Sequence, residues 1–70
     1  MEKVKVISST IWEVEYDLEK SYLFVTFING KKYKYSDVAP SLFRRMVEAE
    51  SVGKFFSMYI KGCYAYELVS

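Results

Sequence analysis

Aromatic and cationic side chains come close together in the middle of this chain, in a pattern suited to binding nucleic acid. Four residues carry it: Tyr22, Phe24, Lys32 and Lys34. Aromatic rings offer faces on which bases stack, and lysines neutralise phosphates, as a surface for single-stranded RNA requires. An exposed aromatic patch also marks self-association. The second interpretation is slightly favoured, because Glu13 and Glu15 border the patch and would repel phosphates.

A second candidate site lies at the predicted start of a helix near residue 51. Free N–H groups and a partial positive charge at a helix N-terminus attract phosphate groups. The residues that would form this site are Ser9, Ser51, Gly53, Lys54 and Lys61. The alternative is an ordinary cap, in which Ser51 satisfies only its own helix. Gly53 supports the ligand interpretation, because glycine costs about 1 kcal/mol in a helix relative to alanine, and a close backbone approach would be a reason to keep it.

The residues that most enzymes and metal sites use are scarce. Histidine is absent and Cys63 is the single cysteine, so no intrachain disulfide can form. The sequence contains no paired catalytic groups, no Cys or His cluster and no glycine-rich phosphate loop. We therefore predict a non-catalytic protein that needs no metal and no cofactor. Cys63, lacking a histidine partner, is expected to be buried.

Charge and hydrophobicity indicate the class of protein and its compartment. Ten lysines and arginines against nine carboxylates give a net charge of +1, which argues against a dedicated nucleic-acid binder. No apolar run is long enough to cross a bilayer, and the N-terminus lacks the apolar core of a signal peptide. A lone cysteine fits a reducing compartment. We expect a cytoplasmic protein without a membrane partner.

The 70 residues form a single predicted domain, 1–70, that begins with three strands. Trp12, Val14 and Tyr16 alternate with glutamates and indicate a strand that is buried on one face. Residues 22–28 and 32–36 are predicted to form the next two strands, joined at Asn29-Gly30. A two-residue turn would place apolar residues opposite lysines. A three-residue loop with a left-handed Gly30 pairs Val25 with Tyr33 and Leu23 with Tyr35 and places the apolar side chains on one face, so we predict the bulged turn. Both tyrosines then face the helices, where core packing is favoured over a stacking platform for bases.

Two helices are predicted to follow the strands. Pro40 suits a first helical position, and apolar residues at helical spacing continue to about Ala49. Ser51 is a suitable N-cap for the second helix, which Gly62 ends. The inward-facing residues of this helix are predicted to be Val52, Phe55, Phe56, Tyr59 and Ile60. The tail from Tyr64 to Leu68 either adds a short edge strand or packs across the core.

The order of several short motifs resembles the KTSC domain, named for its occurrence at the C-terminus of some lysyl-tRNA synthetases and also found as small stand-alone bacterial and phage proteins. The similarity extends from about Ser8 to Tyr64. It is carried by Ser9-x-Ile11, Tyr16-Asp17, Leu23-x-Val25-x-Phe27, Gly30, Tyr33-x-Tyr35, Val38, Ala49-x-Ser51-x-Gly53, Phe55-Phe56, Ile60-Lys61 and Tyr64.

The resemblance implies a small domain with no established activity, for which RNA binding has been proposed from the synthetase context. This chain departs from the family in two places. It has Val38-Ala39-Pro40 where members often have Val-Pro, and Ser57 near a position that tends to be Asn. If a ligand of the family depends on this Asn, this chain would lack that ligand's site.

The expected fold is α+β: a three-stranded antiparallel β-meander with two short helices packed on one face and the tail along an edge. The expected function is a non-catalytic binding module for RNA or another phosphate-bearing ligand. The alternative is a module of phage or prophage type that self-associates through the open sheet face as a homo-oligomer and binds a host protein or sequesters a small nucleotide.

Overall fold

The computed structural model describes all 70 residues and has the predicted α+β architecture, with a larger sheet than expected. The sheet has five antiparallel strands, ordered β1-β2-β3-β4-β5 as in the sequence. The strands are β1 (Glu2–Lys5), β2 (Ile11–Asp17), β3 (Tyr22–Phe27), β4 (Lys32–Tyr35) and β5 (Tyr66–Leu68). Between β4 and β5 lie α1 (Pro40–Val47) and α2 (Val52–Tyr59). No helix has the length and apolar character needed to cross a membrane.

The predicted three-stranded sheet omits β1 and leaves β5 as an alternative. The β1 strand has four residues, and Val4 is the only apolar one, so its sequence shows little apolar periodicity. Val4 is also its only partly buried residue. Pairing with β2 holds it in place, with Val4 opposite Val14. The tail does form the short edge strand β5, which pairs with β4 through Tyr35 and Tyr66. Both additions depend on pairing with another strand, and for β5 that strand lies more than thirty residues earlier in the sequence.

The hairpin between β3 and β4 has the predicted register. Val25 lies opposite Tyr33 and Leu23 opposite Tyr35. The Phe27 N–H donates to the Lys31 carbonyl at 2.8 Å, and Gly30 has a φ of +92°. A left-handed residue at this position favours glycine, which has no Cβ to clash. The three-residue bulged turn is therefore confirmed.

The prediction that Trp12 shares the buried face of Val14 is wrong. The pairing register with β3 shifts between Ile11 and Glu13, so one extra residue, Trp12, lies in the bulge. Ile11 takes the buried position and is 1% exposed, whereas Trp12 is 51% exposed. The Trp12 ring lies on the outside, 4.3 Å from the Lys5 ammonium.

The core lies between the inner face of the sheet and the two helices. Tyr16 stacks on Phe43 of α1 at a centroid distance of 4.9 Å, and its hydroxyl donates to the Val38 carbonyl. The fully buried large side chains are Ile11, Leu23, Met46, Ile60, Val14, Val25 and Val38. Both helices contribute, as predicted, although α1 ends two residues before Ala49.

Two residues predicted to be buried are exposed. Tyr59 is 44% exposed because the stripe of α2 that enters the core is narrower than expected. Its ring packs on Phe55 at the surface, and both rings lie beside the Arg45 guanidinium. Cys63 is also exposed, since it follows the end of α2 in a turn that leaves the core.

Candidate functional site

A cleft of about 820 Å³ opens between the inner face of the sheet and the C-terminal half of α2. We call it the aromatic cleft. The strands contribute Phe27, Tyr33, Tyr35 and Tyr66, and the helix contributes Phe56. The hairpin register directs the strand side chains to this face, because residues two apart on a strand point the same way.

The five rings of the aromatic cleft form a closed cycle of contacts. Phe27 lies 5.8 Å from Tyr33, Tyr33 lies 5.8 Å from Tyr66, and Tyr66 lies 5.8 Å from Tyr35. Phe56 completes the cycle, 5.4 Å from Tyr35 and 5.5 Å from Phe27. All five pairs meet edge to face or at a tilt, which is favourable for aromatic rings. The ring cluster also joins the tail to the sheet and to α2.

The charged residues of the aromatic cleft are both lysines. Lys31 of the hairpin turn and Lys61 after α2 line it, and no aspartate or glutamate does so. Both lysines are exposed, and neither takes part in any of the three ion pairs of the structure. Their charges are therefore available to an anion. Ser9, Thr10, Asn29 and Ser57 add hydrogen-bonding groups to the lining.

The Tyr35 side chain combines burial with a polar tip. Only 5% of the residue is exposed, yet it lines the cleft. Burial is the main cause that raises the pKa of Tyr35 to about 12, and the nearby Tyr33 and Tyr66 raise it further. A tyrosine hydroxyl is protonated at neutral pH even at its ordinary pKa of about 10, and the upward shift keeps this one protonated to higher pH. Tyr33 and Tyr35 are inward-facing as predicted, with core packing as one of their roles.

The predicted patch of Tyr22, Phe24, Lys32 and Lys34 lies together on the opposite, open face of the sheet. Both lysines there already have carboxylate partners: Lys32 pairs with Glu15 at 3.2 Å and Lys34 with Glu67 at 3.1 Å. The hydrogen bond to Glu67 is the main reason that the pKa of Lys34 is raised. A phosphate on this face would have to compete with those carboxylates.

The remaining predicted residues divide between two places. Ser9, Ser51, Gly53 and Lys54 surround a depression of about 590 Å³, whereas Lys61 lies in the aromatic cleft. Ser51 Oγ accepts the Lys54 N–H at 3.2 Å, so it caps its own helix. Glu50 also lines this depression, where it would repel a phosphate. Ser9 lines both places, as do Thr10 and Ser57.

Gly53 has a structural role in the contact between α2 and the β1–β2 loop. A Cβ at this position would lie 3.1 Å from Thr10 Oγ1 and 3.2 Å from Ser8 Oγ. The Ser8 oxygen is held by the Thr10 and Ile11 N–H groups, both at 3.2 Å. The loop therefore approaches the helix as closely as glycine permits, which explains this residue without a ligand.

Gly53→Val is accordingly expected to destabilise the protein by about 1–3 kcal/mol, the usual cost of overpacking. Lys54→Val is the matched control, because it places the same side chain at the next, exposed position of α2. Urea unfolding followed by circular dichroism measures both. Equal stability of the two variants would show that the loop yields and that Gly53 has another role.

Sequence reasoning missed Lys31, Phe56 and Tyr66 as members of one site. Lys31 could have been placed from the hairpin register, which sets it opposite Phe27 on the inner face. Tyr66 could not, because its position depends on the pairing of the tail with β4.

The family is decided by comparison with known proteins. A family model described as the KTSC domain matches residues 7–64. The chain belongs to the KTSC domain family. The structure of this KTSC protein matches the crystal structure of a KTSC domain protein from Yersinia pestis with a TM-score of 0.91 and 28% identity, over 99% of this chain and 97% of that one.

Two relatives of similar length match most of the sequence, and their names state no function. An uncharacterized protein of Stutzerimonas stutzeri is 34% identical over 61 residues, or 87% of this chain and 86% of that protein. A protein of Tsukamurella paurometabola is 36% identical over 56 residues, or 80% and 84% of the two chains. The KTSC match ends before β5, so Tyr66, which lines the aromatic cleft, lies outside it.

Proposed function

We propose that this protein is a non-catalytic binding module that holds a phosphate-bearing ligand with a planar ring, such as a nucleotide or an unpaired RNA base. The proposed site is the aromatic cleft. The observation that carries the proposal is the combination of five contiguous rings with two lysines and no carboxylate. Its volume of about 820 Å³ falls within the usual range of small-ligand sites.

The rings and the lysines would have separate tasks. Tyr66 is 62% exposed, so part of its ring is free to stack on a base, a contact worth about 1–3 kcal/mol in single-strand binders. Lys31 and Lys61 would then neutralise the phosphate. The protonated Tyr35 hydroxyl would donate a hydrogen bond to the polar edge of the ligand.

This proposal moves the phosphate site from the open face to the inner side of the sheet. The open face has more lysines, but three of them, Lys3, Lys32 and Lys34, already pair with glutamates. Unpaired cations are more useful for phosphate binding, because no existing ion pair must be broken first. The aromatic cleft is therefore the better candidate, although its lysines are fewer.

Calorimetric titration with AMP and with a short oligouridylate at several salt concentrations tests the proposal. Two phosphate contacts predict that the logarithm of the RNA association constant falls with a slope of about −1.4 against the logarithm of salt concentration. The Asn29 and Ser57 side chains are uncharged, so they should add nothing to this slope. Failure of both probes to bind, or binding that salt does not weaken, would contradict the proposal.

A further inference from the structure

The open face of the sheet carries its charges in stripes, one sign to each strand. One register row crosses all five strands, because Glu15 lies opposite both Lys3 and Phe24, and Lys34 lies opposite both Phe24 and Glu67. Read from β1 to β5, this row is Lys3, Glu15, Phe24, Lys34 and Glu67. The order of its side chains is positive, negative, aromatic, positive, negative.

This order is antisymmetric about Phe24, so the face is complementary to itself. We propose that a second copy of this chain packs on the open face, with a twofold axis that runs parallel to the strands at β3. Such an axis places Glu15 of one copy against Lys34 of the other, and Lys3 against Glu67. It also stacks the two Phe24 rings at the centre. A twofold interface repeats each contact, so every cross-pair occurs twice.

The neighbouring row agrees with the same axis. Lys5, Glu13, Thr26 and Lys32 follow one another from β1 to β4. The proposed axis sets Glu13 against Lys32 of the second copy. A twofold axis perpendicular to the strands would instead set each strand on itself, with Glu13 facing Glu13 and Lys32 facing Lys32. The charge pattern therefore distinguishes between the two face-to-face arrangements.

The central charged side chains of the open face are held by neighbours on the same face. Glu13 and Glu15 have side chains only 17% and 18% exposed, because they reach sideways to Lys3 and Lys32. Lys34 and Lys32 lie over aromatic rings, 4.3 Å from Tyr22 and 5.3 Å from Phe24. Charges held flat between rings leave a surface on which another sheet can pack face to face.

The size of the open face indicates the class of interface that the dimer would form. Five strands about 4.8 Å apart and a β3 strand of six residues outline a face of roughly 24 by 20 Å. Each copy would bury roughly 500 Å², which is near the lower limit for specific interfaces. An interface of this size is typical of weak, transient complexes.

Charge reversal on either side of Phe24 tests the interface by analytical ultracentrifugation over a range of concentrations. The wild-type protein should form dimers as concentration rises. Glu15→Lys and Lys34→Glu should each weaken self-association by about tenfold or more, because each puts like charges in contact twice. An equimolar mixture of the two variants should dimerise as strongly as the wild type, since every cross-pair is again of opposite sign.

The controls are Glu48→Lys and Lys54→Glu, which reverse the same charges at exposed positions of the helical layer. They should leave the dimer unchanged. A strictly monomeric wild-type protein would overturn the proposal, and so would a dimer that neither open-face variant weakens. Amide chemical shifts measured on dilution need no variant. They should change around Phe24 and Thr26, and changes confined to the helices would equally refute the interface.

This proposal does not depend on ligand binding. The open face and the aromatic cleft lie on opposite sides of the same sheet, so each can be tested without altering the other.

Discussion

Reversing both lysines of the aromatic cleft, by Lys31→Glu with Lys61→Glu, is expected to lower AMP affinity by about 100-fold. Each reversal removes an attractive charge and adds a repulsive one, and a tenfold change for each corresponds to about 1.4 kcal/mol. Neither lysine has an ion-pair partner in the protein, so neither substitution breaks an ion pair. The measurement is calorimetric titration of the wild-type and variant proteins with AMP.

The matched control uses the neighbouring pair on the other side of the sheet. Lys32→Glu with Lys34→Glu makes the same change in net charge, but these side chains lie on the open face. Affinity for AMP should fall by less than about threefold, through long-range electrostatics alone. If the open-face variant loses binding while the cleft variant retains it, the ligand binds on the open face and our proposal is wrong.

Truncating the central core residue Leu23 to alanine is expected to cost about 2–5 kcal/mol of unfolding free energy. Leu23 is 0% exposed and lies on β3, the central strand, so a cavity there is surrounded by structure that cannot easily collapse. A domain of this size has a small margin of stability, at the lower end of about 5–15 kcal/mol. Leu23→Ala should therefore unfold at a much lower urea concentration, or be unfolded without denaturant.

The chain offers a control with the same chemical change. Leu18 lies in the β2–β3 turn and is 69% exposed, so Leu18→Ala should alter the urea midpoint only slightly. Circular dichroism and tryptophan fluorescence of Trp12 both report the transition. Similar losses of stability in the two variants would mean that Leu23 is not at the centre of the core.

Local features of the molecule could be predicted well because their causes lie within a few residues. Asn29-Gly30 sets the loop of the hairpin, and burial of Leu23 and Val25 selects its register. Pro40 begins α1, and Ser51 caps α2 through the Lys54 N–H, as the sequence predicted. In each case, one side chain or one backbone conformation is enough to decide the local structure.

Features that depend on distant partners could not be predicted in the same way. Trp12 was assigned to the core because alternation in β2 looked uninterrupted, yet pairing with β3 inserts a bulge there. The ion pair of Lys34 could not be predicted either, because its partner Glu67 belongs to the tail, whose pairing with β4 the sequence leaves open. Both features concern which residues meet across the sheet.

The sequence by itself determined the α+β class, the central hairpin and its inward-facing tyrosines, because alternation and turn chemistry act over short distances. Only the tertiary structure decided where unpaired lysines and exposed aromatic rings lie together. Pairing of β5 with β4 brings Tyr66 to the cleft and Glu67 to Lys34, so a single strand completes one candidate surface and neutralises a lysine on the other. Contacts of this kind join residues more than thirty positions apart, and no local pattern records them.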